Sequence, residues 1–243
     1  MNRKKKLLHD VKTQLSALGN PTRAKITKRF FQTGPGQYGE GDIFIGVTVP
    51  DIRRLAKKNF CYFSQSELLR LLRSKIHEER LLALIMMIHQ FQTATKANDE
   101  KTRKKLFILY LKNTKFINNW DLVDSSAEHI VGAFLHKKSK ARLIQLARSK
   151  RLWERRLAIV STFYYIKYKE SKETIRLAKL LLHDSHNLIH KAVGWMLREM
   201  GKKCGNSVLE KFLASHAKAM PRTMLRYAIE QLPPETRMIF LKG

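Results

Sequence analysis

Arg156-Leu157-Ala158-Ile159, Lys191-Ala192-Val193-Gly194 and Arg226-Tyr227-Ala228-Ile229 begin at intervals of 35 residues (191 minus 156, 226 minus 191), each a basic residue followed by small and apolar ones. A fixed period of this size marks helical-repeat proteins, whose helix pairs cannot bury their apolar faces alone and therefore stack on one another. Counting back another 35 from 156 reaches Asp121-Leu122-Val123-Asp124, where the apolar middle pair persists but both flanking positions are aspartate. The repeat departs from itself there. An earlier copy is read at Arg80-Leu81-Leu82-Ala83, 41 residues before 121, with loop length absorbing the difference.

Helix signals surround this cadence. Asn20-Pro21 supplies an N-cap and a first-turn proline, Ser64 to Glu67 forms a capping box ahead of Leu68, Leu69, Leu71 and Leu72, and Ser171 to Thr174 opens another amphipathic run. They predict helices near 3–18, 20–33, 50–60, 65–74, 77–93, 98–113, 119–136, 139–149, 152–169, 171–183, 187–201, 205–217 and 222–231. Only Ile43 to Val49 reads as a strand, entered from a glycine-rich loop at 34–48 that can form a short hairpin. The expected fold is all-α: one helical-repeat solenoid over residues 1–243, with Lys and Arg along its concave surface.

Composition narrows the partner. The 243 residues include 48 Lys and Arg against 20 Asp and Glu, a formal charge of +28, and nucleic acid is the polyanion such a balance attracts. At 44% hydrophobic the chain can also bury a continuous core, so it is not a basic tail. Met1 to Lys6 is basic, but His9 and Asp10 follow Leu7-Leu8, which leaves no apolar stretch for a signal peptide, and no segment reaches membrane-spanning length. Cys61 and Cys204 lie far apart without metal spacing, as expected for structural thiols in a reducing compartment. The expected location is the cytoplasm, on the nucleoid.

The aspartate-bearing copy carries the chemistry. In Asn118-Asn119-Trp120-Asp121-Leu122-Val123-Asp124, Trp120 and Asp124 are four residues apart and share a helix face. An indole and a carboxylate, set in a polycation, suit a small positive charge held within a nucleic acid, as in the transition state of N-glycosidic bond cleavage. Taken singly, a tryptophan on an amphipathic helix more often packs in a core, and an aspartate near a helix start more often caps it. Asp121, nearer the helix start, is read as such a cap. Of the adjacent Arg155 and Arg156, one is expected to face phosphate and the other solvent or a carboxylate.

Two other patterns are not read as nucleotide or metal sites, although a DNA-facing role for the glycine-rich loop stays open. Gly34 to Gly41 contains a GxGxxG spacing, but no strand precedes it, and Glu40 and Asp42 would repel a diphosphate. His183, His186 and His190 recur at helical spacing without HExxH or a cysteine partner, so no metal is expected.

Three segments together carry a resemblance. Asn119 to Asp124, Trp153 to Ile159 and Lys191 to Glu199 occur in the order and near-spacing of the AlkD-type DNA alkylation repair family, with Phe44 to Pro50 similar to a further family segment. The resemblance covers most of the chain. It implies HEAT-like repeats, glycosylase activity on cationic alkylated purines of the 3-methyladenine and 7-methylguanine class in double-stranded DNA, and no cofactor or metal. By motif position Asp124 corresponds to the catalytic carboxylate, Trp120 and Trp195 to the site tryptophans and Arg156 to a DNA-contacting arginine. Asn119 stands where some members have another tryptophan, a departure that leaves a smaller aromatic surface. A monomer without membrane attachment is expected. The alternative reading is a non-catalytic HEAT-like binder of branched or damaged DNA, and a protein-binding scaffold explains the charge poorly.

Overall fold

The computed structural model describes residues 3–242 and is all-α among them. Met1 and Asn2, at the head of the basic opening, and Gly243 lie outside the described residues. Internal contacts divide the chain into two compact units, Met1–Ser126 and Ala127–Gly243.

The first unit comprises α1 (Arg3–Ala17), α2 (Pro21–Phe30), α3 (Val49–Asn59), α4 (Gln65–Leu72), α5 (His77–Lys96), α6 (Glu100–Lys112) and α7 (Trp120–Ala127, its last residue counted with the second unit). Its core helix is the 20-residue α5, buried almost continuously from His77 to Ile88 and packed against α3, α4 and α6. The run Leu81 to Ile88 has no polar side because neighbours cover it all round. The local caps form as read: Asn20 accepts the N–H of Arg23, and Ser64 and Glu67 close a capping box above fully buried Leu68, Leu71 and Leu72.

The second unit opens with a π turn, Glu128–Gly132, and continues as α8 (Ala133–Leu135), α9 (Ala141–Ala147), α10 (Leu152–Ser161), α11 (Phe163–Lys167), α12 (Lys172–Leu180), α13 (Asn187–Cys204), α14 (Asn206–His216), α15 (Arg222–Ile229) and α16 (Pro234–Lys242). The helices that bear the 35-residue cadence are consecutive neighbours, α10 against α13 and α13 against α15. Ala158, Val193 and Ala228, equivalent in the cadence, are all fully buried. The α13–α15 crossing is close because Gly194 has no side chain: a Cβ there would sit 2.5 Å from both the Met224 carbonyl oxygen and Tyr227 Cβ.

A turn motif also repeats. Ser74, Ser149 and Asp184 each accept, through the side chain, the N–H two residues on, at 3.1, 3.1 and 2.9 Å. The carbonyl of each accepts from the side chain six residues on, which is Arg80, Arg155 and His190 in turn. This pairs Arg80 with Arg155, so Leu81-Leu82-Ala83-Leu84 is the counterpart of Arg156 to Ile159, and the earliest copy read from the sequence is displaced by one residue. At the same spacing, 35 before Arg155, stands Trp120. The aromatic residue occupies a position that elsewhere ties down a turn.

Other expectations also need correction. Ile43 to Val49 is neither strand nor hairpin: Ile43 makes one isolated parallel bridge to Ile76, and Val49 already begins α3. The single helices expected over 119–136 and 152–169 are interrupted, the first by the π turn and the second at Thr162. The helix α16 lies beyond the last one expected, with Pro234 and Glu235 in its first turn.

Candidate nucleic-acid site

In the first unit, Trp120 opens α7 and Asp124 follows one turn later. Leu122, Val123 and Ser126 are fully buried, whereas Trp120, Asp121, Asp124 and Ser125 are half-buried, so the indole and the carboxylate share the partly open edge of the helix. Asn119 starts the helix: its carbonyl accepts the N–H of Val123 at 3.2 Å and its side-chain oxygen that of Trp120 at 2.8 Å.

The indole of Trp120 is built into an aromatic wall. It stacks on Phe31, meets the edge of Phe30 at 5.8 Å, and places Nε1 3.3 Å from the Tyr38 hydroxyl. Phe31 stacks in turn on Phe44, and Phe44 on the imidazole of His77 at 4.6 Å. The structure thus puts an α2 terminus and the glycine-rich loop beside the candidate tryptophan. The sequence reading missed Phe30, Phe31, Tyr38 and Phe44, although an aromatic pair just before a glycine-rich segment is a signal that could have found them.

The two aspartates of α7 have different surroundings. Asp121 accepts the N–H of Leu122 through Oδ1 and lies 2.7 Å from His77 Nε2 through Oδ2. Both contacts tie it to the protein itself, while the start of the helix is held by Asn119. On the other side of His77, Nδ1 is 3.1 Å from Asp42 Oδ2, and Asp42 Oδ1 is 2.7 Å from Arg80. Asn119 donates to the same Asp42 oxygen at 3.4 Å. Burial opposes the charge on His77, but hydrogen bonds to Asp121 and Asp42 outweigh it and raise its pKa above the ordinary histidine value. Burial likewise opposes the charge on Asp42, and His77 and Arg80 hold its pKa below the usual carboxylate value. Asp124 acts on a different neighbour: burial is the main cause of the raised Tyr110 pKa, and the Asp124 charge adds to it.

The glycine-rich loop is anchored to the start of α5. Ile43 exchanges backbone hydrogen bonds with Lys75 and His77, and Glu78 accepts the N–H groups of Ile45 and Gly46 at 3.0 and 2.7 Å. Gly46 has φ +77, and a Cβ on it would fall 2.2 Å from the Asn20 carbonyl oxygen. Only glycine fits that approach. Glu40 folds back onto the N–H of Gly36, and Asp42 is consumed by His77 and Arg80, so neither acid presents itself to a ligand phosphate.

Beside this wall, α2 carries Arg23, Lys25, Lys28 and Arg29, no acid and no buried residue, and exposes Ile26 and Phe30. Arg23 is partly committed, donating to the Gly46 carbonyl at 2.9 Å.

In the second unit, Trp195 is half-buried on α13, its ring 5.9 Å from that of Phe163 on α11. Lys167 reaches over the Phe163 ring and pairs with Glu128. Arg155 grips Asp184 through two nitrogens and also donates to the Ser149 and Lys150 carbonyls, which makes it the arginine turned to a carboxylate. Arg156 is 5% exposed and donates to the Leu188 carbonyl at 2.5 Å, linking α10 to the start of α13. His186 caps α13 through Leu188, and His190 bonds the Asp184 carbonyl, so both serve the turn. Among the described residues no cluster of three or more His, Cys, Asp or Glu could hold a metal ion, and no helix is long and apolar enough to cross a membrane.

Among solved structures the chain is similar to a predicted DNA alkylation repair enzyme from Enterococcus faecalis, with TM-score 0.65 and 14% identity over 89% of this chain and 97% of that one. At that identity the likeness speaks to the fold. No curated protein matches. A family model described as DNA alkylation repair enzyme matches residues 11–232. Since that match takes in both units and every candidate residue named above, the chain belongs to the DNA alkylation repair enzyme family.

Proposed function

We propose that the protein is a DNA glycosylase, built on HEAT-like repeats, that hydrolyses the N-glycosidic bond of cationic alkylated purines in duplex DNA. The observation that carries this reading is the edge of α7, where Trp120, backed by Phe31, stands one turn from Asp124 while Asp121 is engaged by His77. Alkylation at N3 or N7 makes the purine a cation. When the bond from C1′ to the base breaks, its electron pair passes to the purine nitrogen, and the base leaves neutral without a general acid. The sugar becomes oxocarbenium-like. Asp124 stabilises that charge and takes a proton from the water that adds to C1′. The Trp120 ring favours a cationic base over a neutral one by about 0.5–2 kcal/mol.

The match by motif supports two further roles in the second unit. Trp195 offers a second ring for cation–π contact, and Arg156, which is buried, is assigned to DNA by its motif position alone. The surrounding Lys and Arg supply affinity through phosphate neutralisation. The enzyme acts as a monomer in the cytoplasm, on nucleoid DNA. Release of 7-methylguanine and 3-methyladenine from methylated duplex DNA by the purified protein tests this reading. Tight duplex binding without base release would replace it by the non-catalytic binder.

A further inference from the structure

Four charged groups meet in a buried cluster that neither the repeat nor the proposed chemistry requires. His77 is 2% exposed, and both of its ring nitrogens face carboxylate oxygens, Nδ1 toward Asp42 of the glycine-rich loop and Nε2 toward Asp121 of α7. An ionised carboxylate accepts and cannot donate, so both nitrogens must carry protons for both contacts to be hydrogen bonds. Arg80, from the same helix as His77, completes the set: Nη2 lies 2.7 Å from Asp42 Oδ1 and 3.3 Å from His77 Nδ1, where its charge opposes that of the ring. Asp42, Asp121, His77 and Arg80 then balance, two negative charges against two positive.

The other neighbours add no competing charge. Asn119 and the rings of Phe31 and Phe44 are neutral, Glu78 is turned to the Ile45 and Gly46 amides, and Glu79 to Lys12. A neutral imidazole could donate to only one of its two carboxylates and would leave the four groups with a net negative charge in the interior, which is costly.

We propose that His77, as an imidazolium, is a positioning residue that pins the glycine-rich loop to the first turn of α7 and thereby holds Trp120 and Asp124 in working geometry. Its consequence for catalysis rests on the glycosylase reading; the clamp itself does not. Loss of the proton loosens the tie between α7 and the loop that carries Tyr38 and Phe44, while Glu78 still holds Ile45 and Gly46, and so weakens the support of the indole. Base release therefore falls as pH rises through the His77 titration, and the raised pKa sets that step above the ordinary histidine value.

The experiment combines three measurements on the full chain. Nitrogen NMR of the wild-type imidazole at about pH 7 is expected to show both ring nitrogens protonated; a neutral ring there overturns the proposal. In single-turnover release of 7-methylguanine, His77→Gln and Asp42→Asn are expected to slow the reaction by about 10- to 100-fold and to lose the wild-type fall at high pH. Duplex affinity should stay within about threefold, which separates positioning from binding. Wild-type rate and pH profile in His77→Gln overturn the proposal. Should that variant not fold, wild-type NMR decides: ring titration and rate step must coincide in pH. If wild type releases no base, the glycosylase reading fails alone, and hydrogen exchange judges the clamp. Faster exchange at 34–48 and 120–124 once His77 is deprotonated supports it, and unchanged exchange overturns it.

Discussion

The indole of Trp120 stacks on the ring of Phe31, centroids 5.0 Å apart and planes 22° from parallel, and Phe31 stacks on Phe44 at 5.2 Å. The candidate base-holding ring therefore leans on a buried one. Phe31→Leu keeps apolar bulk but removes both stacks, each worth ~0.5–1.5 kcal/mol beyond area burial, so urea unfolding should show a loss of about 1–3 kcal/mol. An unaltered midpoint and unaltered tryptophan emission would mean that the stack holds nothing.

The basic face of α2 makes a prediction about salt. Wild-type affinity for duplex DNA should fall by about 10³- to 10⁵-fold between ~50 and ~200 mM salt, if 6–10 phosphates are neutralised. Replacing Lys25, Lys28 and Arg29 together by Gln should make the log–log salt slope shallower by about 1–3, at ~0.9 per phosphate. A triple variant with the wild-type slope would remove α2 from the DNA contact.

What could be read from the sequence was what local interactions fix. The Asn20 cap, the Ser64–Glu67 capping box and the uninterrupted apolar run of α5 depend on residues within a turn of one another, and all appear. Ile43 to Val49 is rich in Ile and Val like a strand, but Glu78, more than thirty residues away, takes the amides that a partner strand would have used. The helix α16 was missed because Pro233-Pro234 reads as a stop, while Pro234 occupies the first turn, where a proline costs nothing. At the candidate site, Trp120 and Asp124 were legible from their spacing. The clamp was not: His77 meets Asp42 and Asp121 from 35 and 44 residues away, and no pattern in the chain links them.

Substrate charge should govern selectivity. A neutral purine gives the indole little cation–π attraction and leaves poorly without protonation, so release of 7-methylguanine and 3-methyladenine should far exceed that of ethenoadenine or hypoxanthine. Trp120→Ala and Trp195→Ala should each lower the rate on the cationic bases. Comparable release from both classes of lesion would contradict the mechanism.

Stability should depend on pH through His77. A histidine whose pKa is raised by folding contributes stability that is fully present below its unfolded value, about 6.5, and is lost as pH rises through the folded value. Unfolding free energy should therefore decline across that interval in wild type and less so in His77→Gln. Identical pH profiles in the two proteins would show that the ring is not charged when folded.

The most direct measurement is single-turnover excision of 7-methylguanine by wild type and Asp124→Asn, with folding of both confirmed. The substitution keeps shape and hydrogen-bonding capacity but deletes the charge proposed to face the oxocarbenium ion. Excision should drop by at least about 10²-fold, equivalent to ~2.7 kcal/mol of transition-state stabilisation, while duplex binding is kept or tightened. Excision by Asp124→Asn at the wild-type rate would eliminate Asp124 as the catalytic carboxylate.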